Sequence, residues 1–366
     1  MGKGLLVAVA LFLSASLAAA QDRVPAVVPF VPGVSVGAEA PTDRLWASGD
    51  YLWWWFKHGQ TPALASTGNL TSSRTTVLIG FDVDTADHSG GRFDLGYWLD
   101  PDQVVGIDGN FFFLGRHTAG QNANGTGLAT GTQPLFGIPF LNAAGAESFR
   151  NLITAPVDGV GASTASAALT YRDRLDGAEA NGLYNVTQGE NLRLDLLGGF
   201  RFLYLMENLD FSTLNVATGP RRTVTTATTD AFHTNNRFYG GNLGARARYR
   251  LGGLFLEAEG KVALGDTHET VDIGFAGPGI FARPSNSGLF ARDEFAAVSE
   301  ASFNVGYDLT TWARATVGYT FLYASEVARP GDQIDRQLAG TGHPAFPFQG
   351  TDFWAQGLNF GLAFRY

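Results

Sequence analysis

Along most of the chain, apolar and polar residues alternate one by one. In "LRLDLLGGFRFLYLME" (192–207), Leu192, Leu194, Leu196, Phe200, Phe202, Tyr204 and Met206 share one parity, while Arg193, Asp195, Arg201 and Glu207 hold the other. A period of two is the mark of a strand with unlike faces. "YGGNLGARARYRL" (239–251) sets Tyr239, Leu243 and Tyr249 against Arg246, Arg248 and Arg250, and "GLFLEAEGKVALG" (253–265) sets Leu254, Leu256, Val262 and Leu264 against Glu257, Glu259 and Lys261. A helix would scatter the three arginines around its circumference; a strand puts them on one wall. The stretches 295–309, 311–323 and 354–366 behave alike.

The connections fall into two classes that alternate. Short turns, "LDPDQ" (99–103), "TQGEN" (187–191), "GG" (252–253) and "DLTT" (308–311), join strands into pairs. Segments rich in Gly, Thr, Asn and Pro, spanning 58–90, 115–176, 208–235, 267–292 and 326–352, separate the pairs. That is the plan of an all-β, up-and-down antiparallel transmembrane β-barrel with short periplasmic turns and long external loops, of about ten strands. "TTVLIGF" (75–81) is extended enough to add a hairpin and raise the number to about twelve. Because backbone groups in hydrocarbon must all be paired, such a sheet has to close on itself. Opposed charges on successive strands, Arg193, Asp195, Arg201, Arg246, Arg248, Glu257, Glu259 and Lys261, then form a charge network in the lumen. A large secreted β-sandwich is the soluble alternative.

"GDYLWWWFKHG" (49–59) fits this picture. Tyr51, Trp53 and Trp55, and with them Trp46, are expected in an interfacial aromatic girdle, while Trp54 points inward and fills part of the bore.

The N-terminus has Lys3, an apolar run from Leu5 to Leu13 and small residues Ala18 to Ala20, the layout of a secretory signal peptide cleaved between Ala20 and Gln21. The apolar run is short of the ~20 residues a spanning helix needs. The expected organisation is a signal peptide over 1–20, an extended Pro-containing lead-in over 21–45 and the barrel over 46–366, in the outer membrane of a bacterium of Gram-negative type.

Composition narrows the function. Only 16% of residues are charged and 13% are aromatic, with 47 glycines, a net charge of −9 and no cysteine. No basic stretch offsets phosphate repulsion, which argues against a nucleic-acid partner. Disulfides, thiolate metal sites and thiol catalysis are excluded. The glycine-rich "GGNLG" (240–244) and "GTGLATG" (125–131) lack the strand-to-helix context of a nucleotide site. His58, His88, His117, His233, His268 and His343 fall at or in the expected external loops without metal-ligand spacing, so neither a metal nor a cofactor is expected. Asp266 and His268 in "GDTHETVD" (265–272) are the best enzymatic candidates, as a rim protease of omptin type, but that family's strand blocks are absent. "PLFGIPFLNAA" (134–144) is an apolar island in the longest external segment; it either narrows the mouth or packs on itself.

The chain ends "NFGLAFRY", where Asn359, Gly361, Phe364 and Tyr366 fit a polar–x–Gly–x–x–aromatic–x–aromatic pattern. This resembles the terminal-strand signal read by the outer-membrane barrel assembly machinery. "SGDYLWWW", "LGYWLDPDQVVGIDGNFFFL", "RLDLLGGFRFLYL", "GKVALGDTHETV", "GYTFLYASEVARPGDQIDR" and "TDFWAQGLNFGLAFRY" resemble, in order, blocks of the seventh putative beta-barrel porin family, abundant in planctomycetes. The resemblance covers 46–366 and is loosest over 115–176. It implies an outer-membrane barrel and supplies no substrate. The expected function is a narrow porin-like channel for small polar solutes or ions, or a structural barrel, with no catalytic step. An adhesion or ligand-binding barrel acting through its external loops is the alternative. The expected partners are outer-membrane lipid and the assembly machinery.

Overall fold

The computed structural model describes residues 44–128, 135–153 and 162–366. The expected signal peptide, its Ala20–Gln21 junction and all but the end of the lead-in lie outside these residues.

Ten antiparallel strands form a closed ring: β1 (Leu45–Phe56), β4 (Asp87–Trp98), β5 (Val105–Leu128), β8 (Ala162–Gln188), β9 (Leu192–Thr218), β10 (Thr223–Leu251), β11 (Leu254–Ala276), β12 (Gly288–Asp308), β13 (Ala313–Ala328) and β14 (Gly350–Arg365). Each pairs with its neighbours in chain order, and β1 closes the ring against β14, from Trp46 opposite Arg365 to Phe56 opposite Ala355. The four short turns stand where the alternation breaks. In the tightest, Gly252 takes a φ of +62°, a conformation glycine adopts without steric cost.

The wall sorts side chains by parity. On β9 and β10, Leu196, Phe200, Tyr239 and Leu243 face outward, and Leu243 is 71% exposed. Asp195, Arg201 and Asn242, of the other parity, are at most 2% exposed. Exposed apolar side chains on a closed sheet are the lipid band of a membrane barrel.

The strands run much further than the bilayer requires. β8, β9 and β10 have 27, 27 and 29 residues, against the 9–11 or so that cross. The segments expected as loops over 208–235 and 267–292 are therefore mostly strand: Thr-rich, β-branched and still alternating, they continue the ladder beyond the lipid. Their outer face turns polar there, where Arg172 and His233 pair with Asp210 at 2.6 and 3.0 Å and His268 pairs with Asp293 at 2.7 Å.

Four further strands make a second sheet in the order β3-β2-β6-β7: β2 (Gly59–Ser66) and β3 (Val77–Val83) from the first external connection, β6 (Gly137–Leu141) and β7 (Glu147–Asn151) from the second. Most of "TTVLIGF" becomes β3 of this sheet rather than a barrel hairpin, so the ring has ten strands and not twelve. The reason is burial against protein: Ile79 and Val83 pack in a core with Phe136 and Ile138 instead of facing lipid.

Candidate functional site: a filled bore

The inward face of the ring carries a stack of distinct levels, each set by residues two positions apart along every strand. At the periplasmic end a polar cavity of about 560 Å³ is lined among others by Trp46, Arg193, Arg248, Glu257 and Arg314. Arg193 donates to Asp195 at 3.0 Å and lies over the Trp98 ring at 4.1 Å. Arg248 donates to Glu257 at 2.8 Å.

One level up lies a closed layer of ion pairs. Lys261 meets Glu259 at 2.8 Å and also Glu179, Arg246 meets Asp108 at 2.9 Å and also Glu259, and Arg92 meets Glu300 at 3.1 Å. Arg201 bonds to Glu300 and stands 3.9 Å from Glu179. Four cations (Arg92, Arg201, Arg246, Lys261) oppose four anions (Asp108, Glu179, Glu259, Glu300), drawn from seven strands, and all have side chains at most 11% exposed. The register makes this possible: Arg246 is directly opposite Glu259, Lys261 opposite Glu300, and Glu179 opposite Arg201. In a low-dielectric bore an unpaired charge is very costly, so neutrality is a condition of burial.

The next rung is apolar. Trp54, Phe112, Leu203, Phe238, Leu322 and Phe353 belong to one buried cluster to which every ring strand except β4 contributes. Trp54 is fully buried and donates its indole N–H to Asn359 Oδ1 at 2.8 Å. Above it, Arg329 from the last external connection reaches the wall and donates to Glu207 at 2.6 Å, while Tyr171 donates to the same carboxylate at 2.8 Å. Arg329 also bonds the carbonyl oxygens of Lys57 and His58 at 3.1 and 2.9 Å. The uppermost level is a large apolar core in which Leu169, Phe211 and Val271 of the wall meet Leu64, Ile138, Phe281 and Ile334 of the external connections.

All eight residues of the expected charge network lie on the inward face: Arg201, Arg246, Glu259 and Lys261 join the closed layer, whereas Arg193, Arg248 and Glu257 line the cavity beneath it and Asp195 is buried behind them, paired with Arg193. Arg92, Asp108, Glu179 and Glu300 complete the layer and were missed. They share the parity of inward residues, but Asp108 and Glu300 each stand alone among uncharged neighbours, and in β8 the charges run consecutively over Arg172, Asp173 and Arg174, which hides the alternation around Glu179. Tyr51 and Trp53 face outward, and the Trp53 ring packs at a tilt against Trp55, with centroids 5.2 Å apart. Trp46 is a correction. It shares even parity with Trp54 and so faces the bore, packing 5.2 Å from Trp98, and is no part of a girdle. Of the terminal pattern, Asn359 points inward to Trp54 and Thr320, a side chain on Gly361 would meet Asp50 at 1.8 Å, Phe364 stacks on Trp312 and Tyr366 is exposed.

Asp266 and His268 do not reach the mouth. Their parity is that of the outer wall, and His268 is engaged with Asp293 there, so the pair cannot converge on a peptide over the bore. The apolar island is built into the uppermost core through Phe136 and Ile138, so it neither hangs free nor packs only on itself.

A closed ring with a lipid-facing apolar band and paired charges buried on its inner face defines an outer-membrane β-barrel. The chain belongs to the family described as Putative beta barrel porin-7, whose model matches residues 46–366. Among solved structures it is similar to the outer membrane protease OmpT from Escherichia coli, at 10% identity and a TM-score of 0.48, covering 89% of this chain and 97% of that one. It is also similar to the Pseudomonas putida toluene transporter TodX, at 9% identity and a TM-score of 0.23, covering 89% and 90%. No curated protein sequence matches it significantly.

Proposed function

We propose that the protein is a closed structural barrel of the outer membrane, which holds a folded external platform and conducts no solute at rest. One observation carries this reading: three successive levels of the bore, the neutral ion-pair layer, the Trp54 cluster and the uppermost core, are packed with buried side chains. Ten strands enclose little more than the eight whose interior side chains fill completely. No catalytic step is part of the proposal. The test is conductance of the purified barrel in planar bilayers. Silence at all voltages is expected; stable, discrete steps from a homogeneous folded sample would overturn the closed reading in favour of a narrow channel.

Ligand binding at the external face is a second reading, favoured by a groove of about 460 Å³ between β2 and the 331–349 segment, lined by Gln60, Pro62, Asp332, Arg336 and Pro347. Retention of envelope polysaccharide by the wild type and its loss in Arg336→Ala would support it; equal retention by both would remove it.

A further inference from the structure

We infer that His88, His117 and Asp173 form a binding site for a divalent transition-metal ion inside the barrel, between the apolar cluster and the external core. The three residues come from β4, β5 and β8, and one ligand atom from each lies within 4.8 Å of the other two. His88 Nε2 is 2.7 Å from Asp173 Oδ1, with side chains 0% and 2% exposed. Phe56 stacks flat on the His88 ring, with centroids 3.8 Å apart, and the His117 ring stands edge-on to it at 5.3 Å.

The wall is specially shaped to bring the third ligand in. Up to Leu114 the even residues of β5 face the bore, as Phe112 and Leu114 do. Between Leu114 and His117 the ladder to β8 slips by a β-bulge, after which His117 stands directly opposite Asp173. Without the extra residue, Arg116 would face inward and His117 would face out. A bulge re-aims side chains in just this manner.

Hydrogen bonding alone leaves the cluster incomplete. The His88–Asp173 bond uses one nitrogen of one ring, and Nδ1 of both His88 and His117 is buried without a protein partner. Two imidazoles that cannot both be satisfied as hydrogen-bonding groups, with a buried carboxylate beside them, are a ligand set of two neutral nitrogens and one anionic oxygen. Imidazole selects zinc, copper, nickel or iron over calcium and magnesium, which prefer oxygen. Ligand atoms around one zinc ion lie about 3.3 Å apart for metal–ligand bonds of ~2.0–2.1 Å. To receive the ion the His88–Asp173 pair, now 2.7 Å apart, would open by about half an ångström and the half-buried His117 ring would close in, and a flip of either ring presents its other nitrogen. The ion would tie β4, β5 and β8 together, so its binding energy would stabilise the folded barrel.

The test uses the mature full-length chain, folded in detergent, stripped with EDTA and titrated separately with Zn²⁺ and Co²⁺. One equivalent of Zn²⁺, a Co²⁺ visible absorption band and a raised unfolding temperature are expected. His117→Ala and His88→Gln should each weaken binding by about 100-fold or more, while His268→Ala and His343→Ala, which change half-buried histidines paired with Asp293 and Asp335 and not with this cluster, leave it intact. Heat-modifiable gel migration establishes that each variant is folded. Binding of well under one equivalent by the folded wild type, or undiminished binding by folded His117→Ala and His88→Gln, would overturn the site.

Discussion

Trp54 on the first strand donates its indole N–H to Asn359 on the last, at 2.8 Å across the seam that closes the ring. Asn359 in turn donates to Thr320 at 2.7 Å, so the seam is bonded on both sides of the amide. Asn359→Ala strands a buried donor, which costs ~1–3 kcal/mol. The variant should unfold at a lower temperature in detergent, with the folded band lost earlier on heating in a gel. Trp54→Phe removes that donor and, by contrast, should rescue much of the loss when combined with Asn359→Ala; an additive double variant would mean the bond contributes nothing of its own.

The ion-pair layer is neutral as a whole, so its members are not independent. Lys261→Met leaves Glu179 and Glu259 with less compensation at full burial, and breaking a buried pair in this way costs ~3–5 kcal/mol. Adding Glu259→Gln restores neutrality while Arg246 keeps Asp108 and both Arg201 and Arg92 keep Glu300. The double variant should therefore be more stable than Lys261→Met alone, as read from urea midpoints in micelles. If it is less stable, neutrality is not what governs the layer.

Much of this was legible in the chain. The alternation from Leu192 to Met206, though Leu197, Leu203 and Leu205 interrupt its polar side, showed which residues of β9 face lipid, because only one parity carries charge. The same rule placed Trp54 inside, and applied to Trp46 it would have placed that residue inside as well. What alternation cannot reveal is how far a strand continues once both faces meet protein or water, which is why Asn208 to Asn235 read as a loop. Nor can it reveal a bulge: His117 has the parity of an outward residue counted from Phe113, and only the slip at Gly115–Arg116 brings it opposite Asp173. The second sheet was hidden for a related reason, since its pairing joins two connections far apart in sequence.

Arg329 fastens the last external connection to the barrel wall. It bonds Glu207 through both Nε and Nη2 and reaches two carbonyl oxygens at the end of β1. One residue beyond Pro330, a side chain on Gly331 would fall 1.7 Å from the carbonyl oxygen of Gln60, so at this point the backbone is seated directly against β2. Arg329→Ala abandons the Glu207 carboxylate in a buried site, a change worth ~3–5 kcal/mol locally. Limited proteolysis should cut the variant within 330–349 well before the wild type, with the transmembrane core still intact. Unchanged cleavage would show that the segment is held by its apolar contacts alone.

The same segment should loosen in acid. Burial pushes the Asp335 carboxyl up, but the Ala345 N–H, the His343 ring and the Gln337 N–H together outweigh it and hold the group below its usual value. The distances are 2.7, 2.8 and 2.8 Å. A carboxylate depressed on folding stabilises the fold above its ordinary value and loses that contribution as pH falls through the depressed one. Asp332 acts in the opposite sense: burial raises it, so its protonation relieves strain on folding as pH falls. The hydrogen-exchange protection of 335–345, taken relative to the intrinsic rate at each pH, should fall below the ordinary carboxylate range, and more steeply in Asp332→Asn, which removes the opposing group. Asp335→Asn should be fast already at neutral pH; a flat profile in the wild type would mean that Asp335 does not hold the turn.

Deleting 134–144 separates the levels of the bore from one another. The deletion takes away Phe136 and Ile138 from the uppermost core and the whole of β6, so the external sheet loses its link between β2 and β7. Neither the Trp54 cluster nor the ion-pair layer contains any residue of this stretch. If the bore is closed by several levels in series, removing one leaves the others to block it, and the deleted barrel should remain silent in planar bilayers although its external part becomes protease-sensitive. Conduction that appears on deletion would locate the barrier in the external core, and Trp54 and Lys261 would then have to border a passage wide enough for ions. Combining the deletion with Trp54→Ala distinguishes the cases: current only in the combined variant places the second barrier at the indole, and continued silence places it at the ion pairs.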